Sequence, residues 1–371
     1  MKKSTVSPQL KKKIDDKRHW RSIRHTKAHE EARLQKHKEK LYRDIRSPWA
    51  YEVIAPPKIS IYNPRDHERT VIFLENLRKA FSKHLKIRIC FRDTKEIAAA
   101  GGLLFIAEID RLCTHYPHVK VDCTHPPRRH HGKFKNESYV IESILNQIGF
   151  FKLIGKPERK VQSYPTVSCW QLSQGRVAEG SIAGALINQI DEKLPNIAKQ
   201  RLYRGAIEAI SNCVDHAYPT MRPDGLKILD DRWWMFVGII MDKLIIIVCD
   251  LGVGIPSTIP KNYSEATIRA VLEFLKVSKT NDSELIHAST YLNKTRTKMA
   301  HRGKGGKDIR GLLDHYPGAN LGIYSNKGCF KDGNKITKSG AKHAFALKDE
   351  QKKSIKGTVI EWSIPSGELS Q

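Results

Sequence analysis

Apolar residues recur at near-helical spacing in RLYRGAIEAISNCVDHAY, at Leu202, Ala206, Ile210 and Val214, and predict a helix over Arg201–Tyr218. Glu208, Asn212 and Asp215 fall at i, i+4 and i+7 of that helix and share another face. Such a face is either solvated or able to hold a metal ion and a water. Downstream, Trp233–Met241 and Leu244–Cys249 are apolar runs separated by Asp242-Lys243, a hairpin pattern with a strongly buried second strand. Val167–Trp170 reads as a strand, Ile182–Leu194 as a helix and Gly357–Ile364 as a strand opening on Gly-Thr. Between them lies a polar span, Pro256 to His301, helical over Ala266–Val277; Lys327–Lys356 reads as a solvated loop with some strand.

Upstream, Pro56-Pro57 marks a boundary. Beyond it the pattern alternates: a strand at Ile59–Tyr62, a helix over Thr70–Leu85, a strand in LKIRICF (Leu85–Phe91), and a small-residue turn, Ala98–Gly102, leading into a helix that ends near Tyr116. A strand at His118–Asp122, a helix at Tyr139–Ile148 and the stretch Gly149–Ile154 complete it. Repeated strand–helix units predict a small α/β layer domain. The three regions expected are an arm (1–55), this domain (56–162) and a second domain (163–371).

Composition adds a direction. The 371 residues carry 65 Lys plus Arg against 39 Asp plus Glu, net +26, which favours anionic partners such as nucleotides, nucleic acid or an acidic protein surface. Residues 1–48 hold 16 Lys/Arg and 6 Asp/Glu and too few large apolar side chains for a core of their own. They read as a helical or disordered arm, open to nucleic-acid contact. Seven scattered cysteines without a CxxC pair suit reduced thiols in a cytoplasm. Neither a signal peptide nor a membrane span is expected. Cys113, His115, Cys123, His125, His130 and His131 lack the tight paired spacing of a zinc site, and the stretch from Cys123 to His131 reads better as a basic loop.

The second strand of the hairpin delivers Asp250-Leu-Gly252-Val-Gly254. A carboxylate at a strand end can accept a hydrogen bond from an exocyclic amine, and the glycines let backbone and ligand approach closely. Arg302–Ile309 holds Gly303, Gly305 and Gly306 at a helix start, suited to cradling phosphate on free N–H groups, with Lys304 and Lys307 adding charge. No GxxxxGK[ST] occurs, so this is no P-loop.

Taken in order, the pieces are a helix with Glu-x3-Asn-x2-Asp-His-Ala, a strand ending DxGxG, a polar span, a glycine-rich helix start and a Gly-Thr strand. This order resembles the GHKL ATPases, and EAISNCVDHAY is most similar to the helix of anti-sigma-factor serine kinases. The pattern over 56–162 resembles, more loosely, a STAS domain. It has no hydroxyl residue in Ile97–Gly102, where that family often carries a phosphorylatable serine. The resemblance implies an α/β (α+β) fold, a STAS-like small domain followed by a two-layer GHKL (Bergerat) sandwich. ATP and Mg²⁺ would be its cofactors. By that resemblance Asn212 holds Mg²⁺ and Glu208 acts as general base. Asp250 binds the adenine amine, with Gly252 and Gly254 lining that wall. Gly303, Gly305 and Gly306 close on the phosphates as the hinge of a lid over 256–306, and Thr358 supports Asp250. Asp215 would orient the helix or approach the lid, and His216 would cap it; a structural role for either is equally compatible. Within these 371 residues neither the dimerisation helices of histidine kinases nor the transducer domain of gyrase and MutL is expected. A nucleotide-driven switch or ATPase acting on a protein partner is therefore the first expectation. A serine/threonine kinase and a nucleic-acid-associated module are the alternatives, and homodimerisation is left open.

Overall fold

The computed structural model describes residues 50–124, 137–157, 168–176, 196–220, 222, 232–277, 280–292, 305–336 and 342–368. Residues 1–49, the expected helix 182–194, the stretch His125–His131 and Gly303 lie outside them.

The amino-terminal part runs β1 (Tyr51–Ile54), β2 (Lys58–Ile59), α1 (Pro64–Phe81), β3 (Lys86–Cys90), β4 (Glu96–Ile97), α2 (Ala99–His115), β5 (Lys120–Thr124), α3 (Glu137–Gln147) and α4 (Phe150–Leu153). Asn63 caps α1 by accepting from Asp66 N, and Pro64 at its first turn needs no donor. β1, β3 and β5 form a parallel sheet in that order, and β2 pairs with β4. β1 precedes the Pro56-Pro57 boundary, and Val53 and Ala55 are core residues. The arm expected over 1–55 therefore ends in a structural strand. The strand expected at Ile59–Tyr62 shrinks to Lys58–Ile59.

The carboxy-terminal part is built on a seven-stranded sheet in the order β11-β10-β9-β12-β8-β7-β6, antiparallel throughout. Its strands are β6 (Ser168–Gly175), β7 (Trp233–Ile240), β8 (Lys243–Asp250), β9 (Asn320–Ser325), β10 (Gly328–Ile336), β11 (Lys342–Glu350) and β12 (Thr358–Pro365). Its helices are α5 (Asn196–His216), α6 (Ile255–Asn262), α7 (Glu265–Phe274), α8 (Asp282–Ser289) and α9 (Gly305–His315). β7 and β8 join through Met241-Asp242, both at positive φ, the backbone of a two-residue hairpin turn.

Two expectations change here. The span 256–301, expected to be polar with one helix over Ala266–Val277, carries that helix as α7 and two more, α6 and α8, in its described part. Lys327–Lys356 is not mainly loop: it contains the whole of β10 and β11, the hairpin at the sheet's edge.

Side chains of β8 alternate, as the pleat requires. Leu244, Ile246 and Val248 join a cluster with Leu202, Ala206 and Ile210 of α5, Ile286 of α8 and Leu312 of α9. Ile245, Ile247 and Cys249 join the other cluster, with Phe105 and Ile109 of α2 and Phe73 of α1. The sheet is thus buried on both faces, by its own helices on one side and by the amino-terminal part on the other. The two parts share one core, so the carboxy-terminal part is not a free-standing two-layer sandwich. Helix α2 is buried almost all round, from Ala99 to Asp110, because it packs against α1 and against β7 and β8.

Polar pairs bind the two parts as well. Tyr62 OH donates to Glu361 Oε2 at 2.7 Å, and Lys331 Nζ donates to the Tyr62 carbonyl at 3.1 Å. Glu108 of α2, fully buried, meets Arg78 at 2.7 Å, Arg111 at 2.7 Å and Arg222 at 3.1 Å. Burial pushes its carboxyl pKa up, but Arg111, Arg78 and Arg222 outweigh that and hold it well below the usual range. Among the described residues no helix is long and apolar enough to cross a membrane.

Candidate functional site

Helix α5 carries the sequence pattern as predicted on its apolar side. Leu202, Ala206 and Ile210 are buried and Val214 packs at the edge of the same cluster. Ala209 and Cys213 widen the stripe. Glu208 and Asn212, one turn apart, are both half-buried, whereas Asp215 is exposed. Two of the three polar residues expected on one face therefore lie at the fringe of the core, and the third is turned toward water. Glu208 lies near Tyr263, the residue that ends α6. Burial raises the Tyr263 phenol pKa and the Glu208 charge raises it further, so Glu208 faces the region after β8.

Asp250 is the last residue of β8 and only 4% exposed. Its Oδ1 accepts from Gly252 N at 2.8 Å. The Cys213 thiol, next to Asn212 on α5, donates to its Oδ2 at 3.7 Å. Thr358, the first residue of β12, stands opposite Asp250 in the ladder and hydrogen-bonds its carboxylate. Ser325 Oγ lies 3.0 Å from Thr358 Oγ1 and extends the chain of hydroxyls. Burial raises the Asp250 pKa to about 6, against the opposing pull of the Gly252, Thr358 and Cys213 hydrogen bonds.

The glycines after Asp250 have separate reasons. A Cβ on Gly252 would lie 2.1 Å from the carbonyl oxygen of Ala217, because the end of α5 passes directly over this turn. Val253 N donates to that same oxygen at 2.8 Å. Gly254 takes φ +84° as the chain turns into α6, and the Asn326 side chain bridges to the Val253 carbonyl at 2.9 Å. Gly305 and Gly306 open α9, which packs against α5. The position of α9 is fixed by buried Ile309 and Leu312 and by Trp362 Nε1 donating to the Ile309 carbonyl at 2.8 Å.

Two residues of this region carried no periodic signal in the sequence. Leu251, between Asp250 and Gly252, is held at both ends of its backbone. Its N–H donates to Tyr218 OH at 3.1 Å, and its carbonyl accepts from Arg222 Nη1 at 3.1 Å. Tyr218 was visible as the end of the helix motif; Arg222 was not, since its partner Glu108 lies 114 residues away.

The structure thus brings Glu208, Asn212, Asp250, Gly252, Gly254 and Thr358 into one region around the end of α5 and the end of β8. No protein-family model matches the chain, and no curated protein matches it. The donor set itself suits a magnesium nucleotide. It combines a buried carboxylate acceptor at a strand end with a carboxamide and a carboxylate one turn apart on an adjoining helix.

Proposed function

We propose that the chain is an adenine-nucleotide-binding protein of the GHKL type, Mg²⁺-dependent, working as a nucleotide-driven switch or ATPase on a protein partner. The observation that carries it is Asp250. A carboxylate only 4% exposed, braced by Gly252 N–H and by Thr358 and facing the helix of Glu208 and Asn212, is costly to the fold. A site that reads an exocyclic amine gives that cost a purpose.

In this reading Asp250 accepts from the 6-amino group of adenine, while Gly252 and Gly254, expected to line that wall, instead let the end of α5 and Asn326 pack against the turn that carries it. Asn212 offers its carboxamide oxygen to Mg²⁺, a hard cation that takes oxygen ligands and keeps several waters. Bound Mg²⁺ neutralises charge on the phosphate oxygens. Glu208 accepts a proton from a water or a hydroxyl held beside the phosphates. The amino-terminal end of α9, opening on Gly305-Gly306, presents free N–H groups to phosphate.

The test is thermal denaturation with and without ATP and Mg²⁺. The wild-type protein gains stability with ATP·Mg²⁺, and Asp250→Asn loses that gain. Absence of a shift in the wild type sinks the proposal. Glu208→Ala should keep the ATP-induced shift and lose any phosphate release; turnover that survives this change removes Glu208 as the base. Phosphate appearing on a separate protein would place the chain among serine/threonine kinases.

A further inference from the structure

The loop that carries Asp250 is held from outside its own sheet. Leu251 is the hinge between the carboxylate of Asp250 and the N–H of Gly252 that braces it. Its backbone N–H and C=O are both taken by side chains, from Tyr218 and Arg222. Each of these in turn is anchored to helix α2 of the amino-terminal part. Arg222 Nη2 donates to Glu108 Oε2 at 3.1 Å. Tyr218 OH donates to the Arg232 carbonyl, and the Arg232 guanidinium meets Asp110 Oδ2 at 2.8 Å. Trp234 Nε1 donates to the same Asp110 oxygen at 3.0 Å. Two acids of one helix, two residues apart, therefore grip, through Arg222 and Tyr218, the two peptide units that flank Leu251 in another part of the molecule.

We infer that Arg222, held by Glu108, is a positioning residue that sets the orientation of the Asp250–Gly252 turn and with it the selectivity of the site for a 6-aminopurine. The inference rests on the adenine-nucleotide reading of Asp250 and goes beyond it by giving the amino-terminal part a share in base recognition. Arg222 is itself buried, 2% exposed. It acts by fixing the Leu251 carbonyl, and hence where the Asp250 carboxylate points. The guanidinium suits the task because its planar fork reaches a carboxylate and a carbonyl at once in fixed geometry. Glu108 keeps two other arginines, Arg78 and Arg111, so removing Arg222 does not leave it as an uncompensated buried charge.

The experiment compares binding of ATP and ITP, which differ at position 6 by amine against carbonyl, in full-length protein. Asp250 accepts from the amine and repels the carbonyl, so the wild type favours ATP by about a hundredfold or more. In Arg222→Met the ITP/ATP ratio of dissociation constants falls by about tenfold, a partial loss of that hydrogen-bond discrimination. Arg222→Lys, which keeps the charge and one donor, gives an intermediate ratio. Arg111→Met is the control: it weakens the grip on Glu108 without touching Leu251, so it lowers melting temperature and leaves the ratio unchanged. General destabilisation scales the competent fraction for both nucleotides alike and cannot alter the ratio. A wild-type ratio in Arg222→Met overturns the inference, as does an equal fall in Arg111→Met. If Arg222→Met does not fold, a wild-type ratio in Arg222→Lys overturns it. A wild-type protein that binds neither nucleotide overturns the adenine-nucleotide reading itself. One that prefers ATP while every variant keeps the preference overturns only the role of Arg222.

Discussion

Asp250→Asn should make the free protein more stable while abolishing its response to ATP. In the folded chain the Asp250 pKa rises from an ordinary 3.8 to about 6, with burial the largest cause. The unfolded chain ionises first as pH rises, so it binds fewer protons than the folded chain between these values. Stability contributed by this group is therefore fully present below 3.8, falls as pH rises toward 6, and stays lost at neutral pH. The difference corresponds to about 3 kcal/mol, as an upper value. Asparagine avoids the penalty and keeps an oxygen for the Gly252 N–H. Its amide group meets Thr358 and Cys213 less well than the carboxylate does, at a cost of about 1 kcal/mol. The net expectation at pH 7.5 is a gain of about 1–2 kcal/mol, or roughly 1–3 °C in melting temperature for a chain of this length. The assay is thermal or urea denaturation of both proteins at pH 4 and pH 7.5, without nucleotide. The stability of the variant relative to wild type should rise between about pH 4 and about pH 6 and stay level above that, so that its advantage at pH 7.5 is gone at pH 4. A variant less stable than wild type by the same amount at both pH values would refute the reasoning, because its loss would then be one of packing and not of charge.

Gly252→Ala drives a methyl group against the Ala217 carbonyl and should cost about 1–3 kcal/mol by denaturation, with loss of ATP binding. A fragment covering 163–371 uncovers Trp234, Phe236, Ile247 and Val359 on one face of the sheet; gel filtration should find it aggregated, and a soluble monomer would contradict the shared core. His67 is buried and its pKa is lowered to about 4, burial outweighing the nearby carboxylates of Asp349 and Glu68. Because the unfolded histidine takes up its proton first, this group's stability is present above 6.5 and lost as pH falls toward 4. His67→Gln should accordingly flatten the loss of stability across that window, measured as melting temperature against pH.

Much of this fold is written in short-range periodicity. The stripe Leu202–Ala206–Ile210 predicts α5 and its buried side, and the apolar runs around Asp242-Lys243 predict β7 and β8 and leave Asp250 at a strand end. These signals survive because one repeating face must be apolar whatever it packs against. The same logic explains what was misread. β11 is an edge strand with His343, Leu347 and Lys348 exposed, so its polar and apolar residues show no clean alternation and the stretch resembled a loop. α7 forms at Glu265–Phe274, where a helix over Ala266–Val277 was expected, but its neighbours α6 and α8, of 8 residues each, are too short to show a helical period and read as part of the polar span.

The sequence by itself determined α5, β7, β8 and β12, and with them it set Glu208 and Asn212 on the helix and Asp250 and Thr358 at strand ends. Only the tertiary structure decided that Asp215 faces water and that the sheet is covered on both faces. It also decided that Asp250 sits on a turn whose backbone is held through Arg222 and Glu108. Helix and strand periods record which side of an element is buried. They carry no mark of the partner on that side, and a charge pair 114 residues apart leaves no period at all.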